Sequence, residues 1–209
     1  MSRTRVKICG LTRLEDAELA VELGADAIGF IFWPQSPRVV GVDRAASIAR
    51  ALPAFVARVG VFVNPDPDEV RRVAGEVGLS AAQLHGDELP ERFAGAAPTL
   101  IKVAALAGDA DVRSAIELPL DVTVLVDAAD RERRGGTGVS ADWAGAARVA
   151  SVRPVILAGG LSADNVAQAI QKVRPWAVDV SSGVEERPGV KSAARLRALF
   201  DAIREEAHA

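Results

Sequence analysis

The chain has 209 residues, 25 basic against 28 acidic side chains and a net charge of −3, which excludes a protein built to coat nucleic acid. About half the residues are hydrophobic (49%), yet no apolar run approaches the roughly 18 residues of a membrane span, and the opening MSRTRVKICG lacks the apolar stretch of a signal peptide. The one cysteine, Cys9, excludes an intrachain disulfide and points to a reducing cytoplasm, while only two histidines, His85 and His208, exclude a site needing several histidine ligands.

In chain order, short β-branched or apolar runs recur at 5–9, 27–32, 56–63, 81–84, 100–104, 122–126, 155–157 and 177–180. Each is followed by a stretch read as helical. Val70, Val73, Ala74 and Val77 follow the i, i+3, i+4, i+7 spacing of a buried helix face, as do Val166, Ala169, Ile170 and Val173. Leu196, Leu199, Phe200 and Ile203 repeat it in the last helix. Asp43, Asp66, Ser140, Ser162 and Ser192 are placed to cap helix starts, and Gly24 and Gly78 to end helices. Eight units share the chain at about 26 residues each, near the lower limit of about 200 residues for a (β/α)8 barrel. The expected architecture is therefore α/β, a single-domain TIM barrel spanning 1–209 around an eight-stranded parallel core. An open doubly wound sheet would need a Gly-rich phosphate turn after the first strand, and Cys9-Gly10-Leu11-Thr12 is not one.

In such a barrel, chemistry lies where strands end. Ala158-Gly159-Gly160-Leu161 runs from strand seven toward a helix, and Asp179-Val180-Ser181-Ser182-Gly183 closes strand eight. Glycine-exposed backbone N–H groups and a helix start there suit a phosphate dianion. Strand parity puts Lys7 and Cys9 on the inward face and Val6 and Ile8 toward the helices, so Cys9 points into the barrel mouth as a candidate base or nucleophile. Asp127 directly follows a buried strand, an expensive place for a carboxylate without a role; a loop ion pair with Arg131 or Arg133 is the alternative. Facing Cys9, it would make the acid of an acid–base pair suited to a proton-moving isomerase. Arg38, in Ser36-Pro37-Arg38, could clamp a carboxylate bidentately, and His85 is either a ligand-binding or a structural histidine. Trp33, Trp143 and Trp176 read as packing residues, with Trp33 close enough to the mouth to touch an aromatic ligand.

Seven motifs occur in order: Val6-Lys7-Ile8-Cys9-Gly10-Leu11-Thr12, Gly24-Ala25-Asp26-Ala27, Ser36-Pro37-Arg38, Gln83-Leu84-His85-Gly86, Gly135-Gly136-Thr137-Gly138, Leu157-Ala158-Gly159-Gly160-Leu161 and Asp179-Val180-Ser181-Ser182-Gly183-Val184-Glu185. Together they resemble the phosphoribosylanthranilate isomerase family of tryptophan biosynthesis, from about Arg5 to Lys191. The resemblance implies an Amadori-type aldose-to-ketose rearrangement of a phosphorylated aminoaldose, without cofactor or metal, in a cytoplasmic monomer or homodimer with no nucleic-acid or membrane partner. It makes Cys9 the general base and Asp127 the general acid, which would have to be protonated in the productive complex. It places Arg38 on the anthranilate carboxylate and the glycine and serine loops (Gly159, Gly160, Ser181, Ser182, Gly183) on the phosphate.

The chain departs from the family pattern at Val39, where an aromatic is common, and at Val139-Ser140-Ala141-Asp142-Trp143, where Lys-Thr-Phe-Asp-Trp is common. Two other functions compete. A metal-dependent sugar-phosphate epimerase would draw several histidines to the metal, and only His85 is internal. A non-catalytic phosphate-binding barrel would not need both Cys9 and Asp127.

Overall fold

A computed structural model describes residues 3–127 and 142–207. The expected Gly135-Gly136-Thr137-Gly138 motif, Arg131, Arg133, Val139, Ser140, Ala141 and His208 lie outside them.

Eight parallel strands close into a barrel: β1 (Arg5–Ile8), β2 (Ala27–Ile31), β3 (Ala57–Phe62), β4 (Ala81–Leu84), β5 (Leu100–Ala105), β6 (Val122–Asp127), β7 (Val155–Leu157) and β8 (Ala177–Val180). β1 pairs with β2 on one side and β8 on the other, with Lys7 opposite Asp179, which closes the ring. The helices are α1 (Leu14–Leu23), α2 (Val42–Ala51), α3 (Pro67–Val77), α4 (Asp109–Glu117), α5 (Trp143–Ala150), α6 (Val166–Val173) and α7 (Ala193–Ala207). A short antiparallel pair, β9 (Glu185–Arg187) and β10 (Val190–Lys191), stands between β8 and α7. Among the described residues, no helix is long and apolar enough to cross a membrane.

The period-2 pattern of the strands sorts side chains into two layers. Outward residues such as Val6, Ile8, Ile28, Phe30 and Leu84 pack against the helices in the large core. Inward residues of the barrel's lower half are apolar, among them Val59, Ala81, Ile101, Leu125, Ile156 and Ala177, and fill its interior. Above them the inward positions turn polar, and this change of composition within the same strands is what creates a site.

The expected helix after the fourth strand is absent. A single 3-10 turn, Pro90–Phe93, stands there, because Pro90 and Pro98 remove backbone donors and Gly95 adopts a left-handed φ of 74°. Side-chain hydrogen bonds take over. The buried Glu88 carboxylate accepts from Gly86 N (2.8 Å), Asn64 N (2.6 Å) and Lys102 Nζ (2.8 Å), and so holds the loop that carries His85.

Helix signals hold at several ends. Gly24 and Gly78 sit in the left-handed region at the ends of α1 and α3, and Asp66 accepts from Asp68 N. Ser192 precedes α7, and its carbonyl accepts from Leu196 N at 2.9 Å. Asp43 lies inside α2 rather than at its cap, which is Gly41. α5 is capped by Asp142, whose side chain accepts from Ala144 N and Gly145 N. The packing role expected of Trp176 fails: the residue is 46% exposed in the loop before β8, with the Arg5 guanidinium 4.5 Å over its ring.

Candidate active site

The mouth of the barrel opens into a cleft of about 800 Å3, its open side included. Cys9, Arg38, His85, Asp127, Gly159, Gly160, Ser181 and Ser182 all line it, joined by Trp33, Gln83 and Asp179. One expected site residue, Gly183, stands behind the lining.

Cys9 follows β1 and is 6% exposed. Its place depends on a neighbour on β2. A Cβ on Gly29 would lie 2.7 Å from Cys9 Sγ and 3.2 Å from Lys7 Cε, so the absence of a side chain at 29 makes room for both groups. Gly29→Ala should displace the thiol, and because small misplacements at a reacting centre are expensive, kcat should fall at least about tenfold. Turnover measured beside a thermal melt checks this, and an unchanged kcat would show that Gly29 does not set the thiol's position.

Below Cys9 lies a buried polar layer. Lys7 Nζ donates to Asp179 Oδ2 at 2.8 Å and to Gln83 Oε1 at 2.9 Å, a bridge from β1 to β8 and β4 through the barrel interior. Burial would lower the Lys7 pKa, but Asp179 and Cys9 more than offset it, so the ammonium is held charged. Burial pushes the Cys9 thiol up from its ordinary value, Asp179 adds to this, and Lys7 and Lys191 oppose it only in part. Thiol is therefore the resting form. Lys7, which shares Cys9's strand face, does not by itself make a thiolate.

Asp127 ends β6, 7% exposed, and its Oδ2 lies 3.5 Å from His85 Nε2. β1 and β6 stand three strands apart around the ring, so Cys9 and Asp127 approach the same cleft from different sides.

The loops after β7 and β8 meet each other closely. Gly159 and Gly160 have φ of 88° and 64°, a backbone that side-chain-bearing residues rarely adopt. Asn165 pins this turn: its Oδ1 accepts from Ser162 N and its Nδ2 donates to Gly160 O, both at 2.9 Å. A Cβ on Gly183 would stand 1.9 Å from Leu161 O, so only glycine lets the two loops touch. Two details differ from expectation. The turn from Ser162 to Asn165 intervenes before α6, whose first residue is Val166, and only a 3-10 turn, Ser182–Val184, follows β8. An anion held there would meet tight turns rather than the start of a long helix. The Ser181 hydroxyl is also engaged, donating to Cys9 O at 3.1 Å.

Arg38 reaches the cleft from the loop after β2, and it is not alone. Glu185 takes its Nε and Nη2 in a fork, at 2.9 and 2.8 Å. Lys191 Nζ donates to Glu185 Oε1 (2.9 Å), Cys9 O (2.6 Å) and Ser181 O (3.1 Å). The pattern of single residues had not exposed Asp179, Gln83, Glu185 and Lys191 as site groups. A usable signal existed for the first two: each is a polar residue at an inward position of an otherwise apolar strand. Among the described residues, no group of three or more His, Cys, Asp or Glu side chains is placed to hold a metal ion.

A family model described as N-(5'phosphoribosyl)anthranilate (PRA) isomerase matches residues 6–202. The N-(5'-phosphoribosyl)anthranilate isomerase of Chromohalobacter salexigens is 48% identical, with 97% of this chain and 95% of that protein covered. The crystal structure of phosphoribosyl anthranilate isomerase from Thermus thermophilus superposes with a TM-score of 0.87 at 43% identity, covering 97% of this chain and 99% of that one. A phosphoribosyl anthranilate isomerase crystallised with reduced 1-(O-carboxyphenylamino)-1-deoxyribulose 5-phosphate is similar too, with a TM-score of 0.86 at 39% identity and coverage of 97% and 99%.

Proposed function

The chain belongs to the N-(5'-phosphoribosyl)anthranilate isomerase family of tryptophan biosynthesis, and from that premise we propose that Cys9 is its general base and Asp127 its general acid. The observation that carries this assignment is that both groups, buried at strand ends, line one cleft from different sides.

The reaction divides into two proton transfers. In the first, Asp127 in its carboxylic acid form protonates the furanose ring oxygen. The bond from that oxygen to C1' breaks while the anilino nitrogen lone pair forms a C=N bond, which leaves a protonated imine. In the second, the Cys9 thiolate removes the proton from C2', the C–H electrons become the C1'=C2' bond, and the imine electrons return to nitrogen. The enolamine then loses its hydroxyl proton and gains one at C1', giving the 1-deoxyribulose 5-phosphate. No oxidant or reductant is consumed, because C1' is reduced as C2' is oxidised. The raised thiol pKa fits this order: a cationic imine beside Cys9 favours the thiolate at the step that uses it.

Binding groups surround this pair. Backbone N–H groups of the Gly159-Gly160 and Ser182-Gly183 turns take the phosphate, Arg38 takes the anthranilate carboxylate and His85 contacts the sugar beside Asp127. Ser181 acts on the phosphate loop through its bond to Cys9 O. We assign the chemistry to one catalytic domain spanning the chain, active as a monomer or homodimer, since every residue invoked lies on the same barrel. A free thiol as catalytic base fits a cytoplasmic address. Turnover of N-(5'-phosphoribosyl)anthranilate with Cys9 and Asp127 replaced singly is the test; activity indifferent to either change ends the assignment.

A further inference from the structure

We propose that Glu185 is a positioning residue for carboxylate recognition: it fixes Arg38 by one edge so that the free edge of the guanidinium faces the carboxylate of the bound aryl group. The inference rests on the reading of Arg38 as the carboxylate contact.

Glu185 is 4% exposed, at the start of β9. Its two oxygens have divided partners. Oε1 accepts from Lys191 Nζ at 2.9 Å and Gly189 N at 3.1 Å, while Oε2 accepts from Arg38 Nη2 at 2.8 Å; Arg38 Nε lies within reach of both, at 2.9 and 3.0 Å. This fork uses the Nε–Nη2 edge of Arg38 and leaves Nη1 outside the pairing. The stem of Arg38 is confined as well: a Cβ on Gly10 would meet its Cδ at 2.7 Å, so the aliphatic chain lies directly on the Gly10 backbone. A guanidinium gripped at stem and edge has one direction left for its second edge. Since Arg38 lines the cleft, that direction is available to a ligand.

Charge supports the same role. Burial lowers the Lys191 pKa and Glu185 opposes this, and Lys191 Nζ has three acceptors in hydrogen-bond reach, Glu185 Oε1, Cys9 O and Ser181 O, matching the three donors of an ammonium. Glu185 is thus one carboxylate between two cations, and burial, which would raise its pKa, is outweighed by Arg38 and Lys191, which hold it below the ordinary carboxylate value. With Lys191 as an ammonium, the trio carries one positive charge more than Glu185 offsets, which a ligand carboxylate completes. Lys191 also ties the arrangement to the Cys9 carbonyl, so the clamp and the base share one frame.

The test compares the reduced product analogue with a congener lacking the ring carboxylate, by inhibition of turnover and by calorimetry, on wild type, Glu185→Gln, Glu185→Asp and Arg38→Ala. Glu185→Gln should weaken the carboxylate-bearing analogue about tenfold or more, leave the congener within about twofold, and raise KM with little change in kcat. Equal weakening of both ligands would mean a merely structural role and overturn the proposal, as would no weakening of either. Should Glu185→Gln fail to fold because Lys191 is left unpaired, Glu185→Asp keeps the charge for Lys191 but withdraws from Arg38, and the same selective loss is expected of it. Arg38→Ala separates the two levels. If it leaves the preference for the carboxylate intact, the reading of Arg38 falls and this proposal with it; if it erases the preference while both Glu185 variants retain it, only the proposal falls.

Discussion

Cys9→Ala should lower kcat by about 10²–10⁴-fold, the usual worth of a general base, while the reduced product analogue still binds with nearly wild-type affinity. Loss of rate with retention of binding separates a proton-transfer role from a packing role, because the thiol is a small part of the cleft wall. The wild-type pH profile gives an independent check. The thiol of the free protein lies above its ordinary value because of burial and Asp179, and the active form is the thiolate. Because the productive form pairs this thiolate with a protonated Asp127, the logarithm of kcat/KM should stay level between the two titrations and fall above the thiol's raised value, which lies beyond the ordinary 8.5 or so. An alkaline limb that persists unmoved in Cys9→Ala would mean that Cys9 is not the base. Stability carries the same sign. A thiol whose folded pKa is raised favours the fold below its unfolded pKa, and that contribution is lost as pH rises through the folded value. The melting temperature of the wild type should fall across that window more steeply than that of Cys9→Ala.

Strand positions were legible because each strand is a short apolar or β-branched run between helical periods, and parity within β1 was enough to place Cys9 inward. The end of β6 marked Asp127 by the same logic, since a carboxylate after a buried strand needs a reason. What sequence could not supply was partnership across the barrel. Lys7 meets Gln83 and Asp179 at separations of 76 and 172 residues, and Arg38 meets Glu185 at 147. Pairings of that range depend on ring closure, on which strand comes to lie beside which, and no local pattern encodes them. Gly29 was invisible for a related reason: its meaning is the space it leaves for a side chain on the neighbouring strand. The missing fourth helix is a different kind of failure. Pro90 and Gly95 argued against it locally, but the regular alternation of units argued for it, and backbone chemistry prevailed over periodicity.

Asp127→Asn should also cost about 10²–10⁴-fold in kcat, and the two losses should differ in kind. Asparagine keeps the shape and the polar contacts of aspartate but has no acidic proton for the ring oxygen, so ring opening becomes the slow step. Substrate deuterated at C2' distinguishes the cases. In a Cys9→Ser variant, where the base is weakened, breaking the C2'–H bond limits turnover and a full primary isotope effect is expected. In Asp127→Asn that bond breaks after the slow step, so the effect should shrink toward one. His85, whose Nε2 lies 3.5 Å from the Asp127 carboxylate, does not replace it, because its ring lacks the carboxyl's placement at the end of β6. If both variants show the same isotope effect, the two residues do not divide the acid and base steps as proposed. If the effects are reversed, the roles are exchanged: Asp127 would take the C2' proton and Cys9 would serve ring opening.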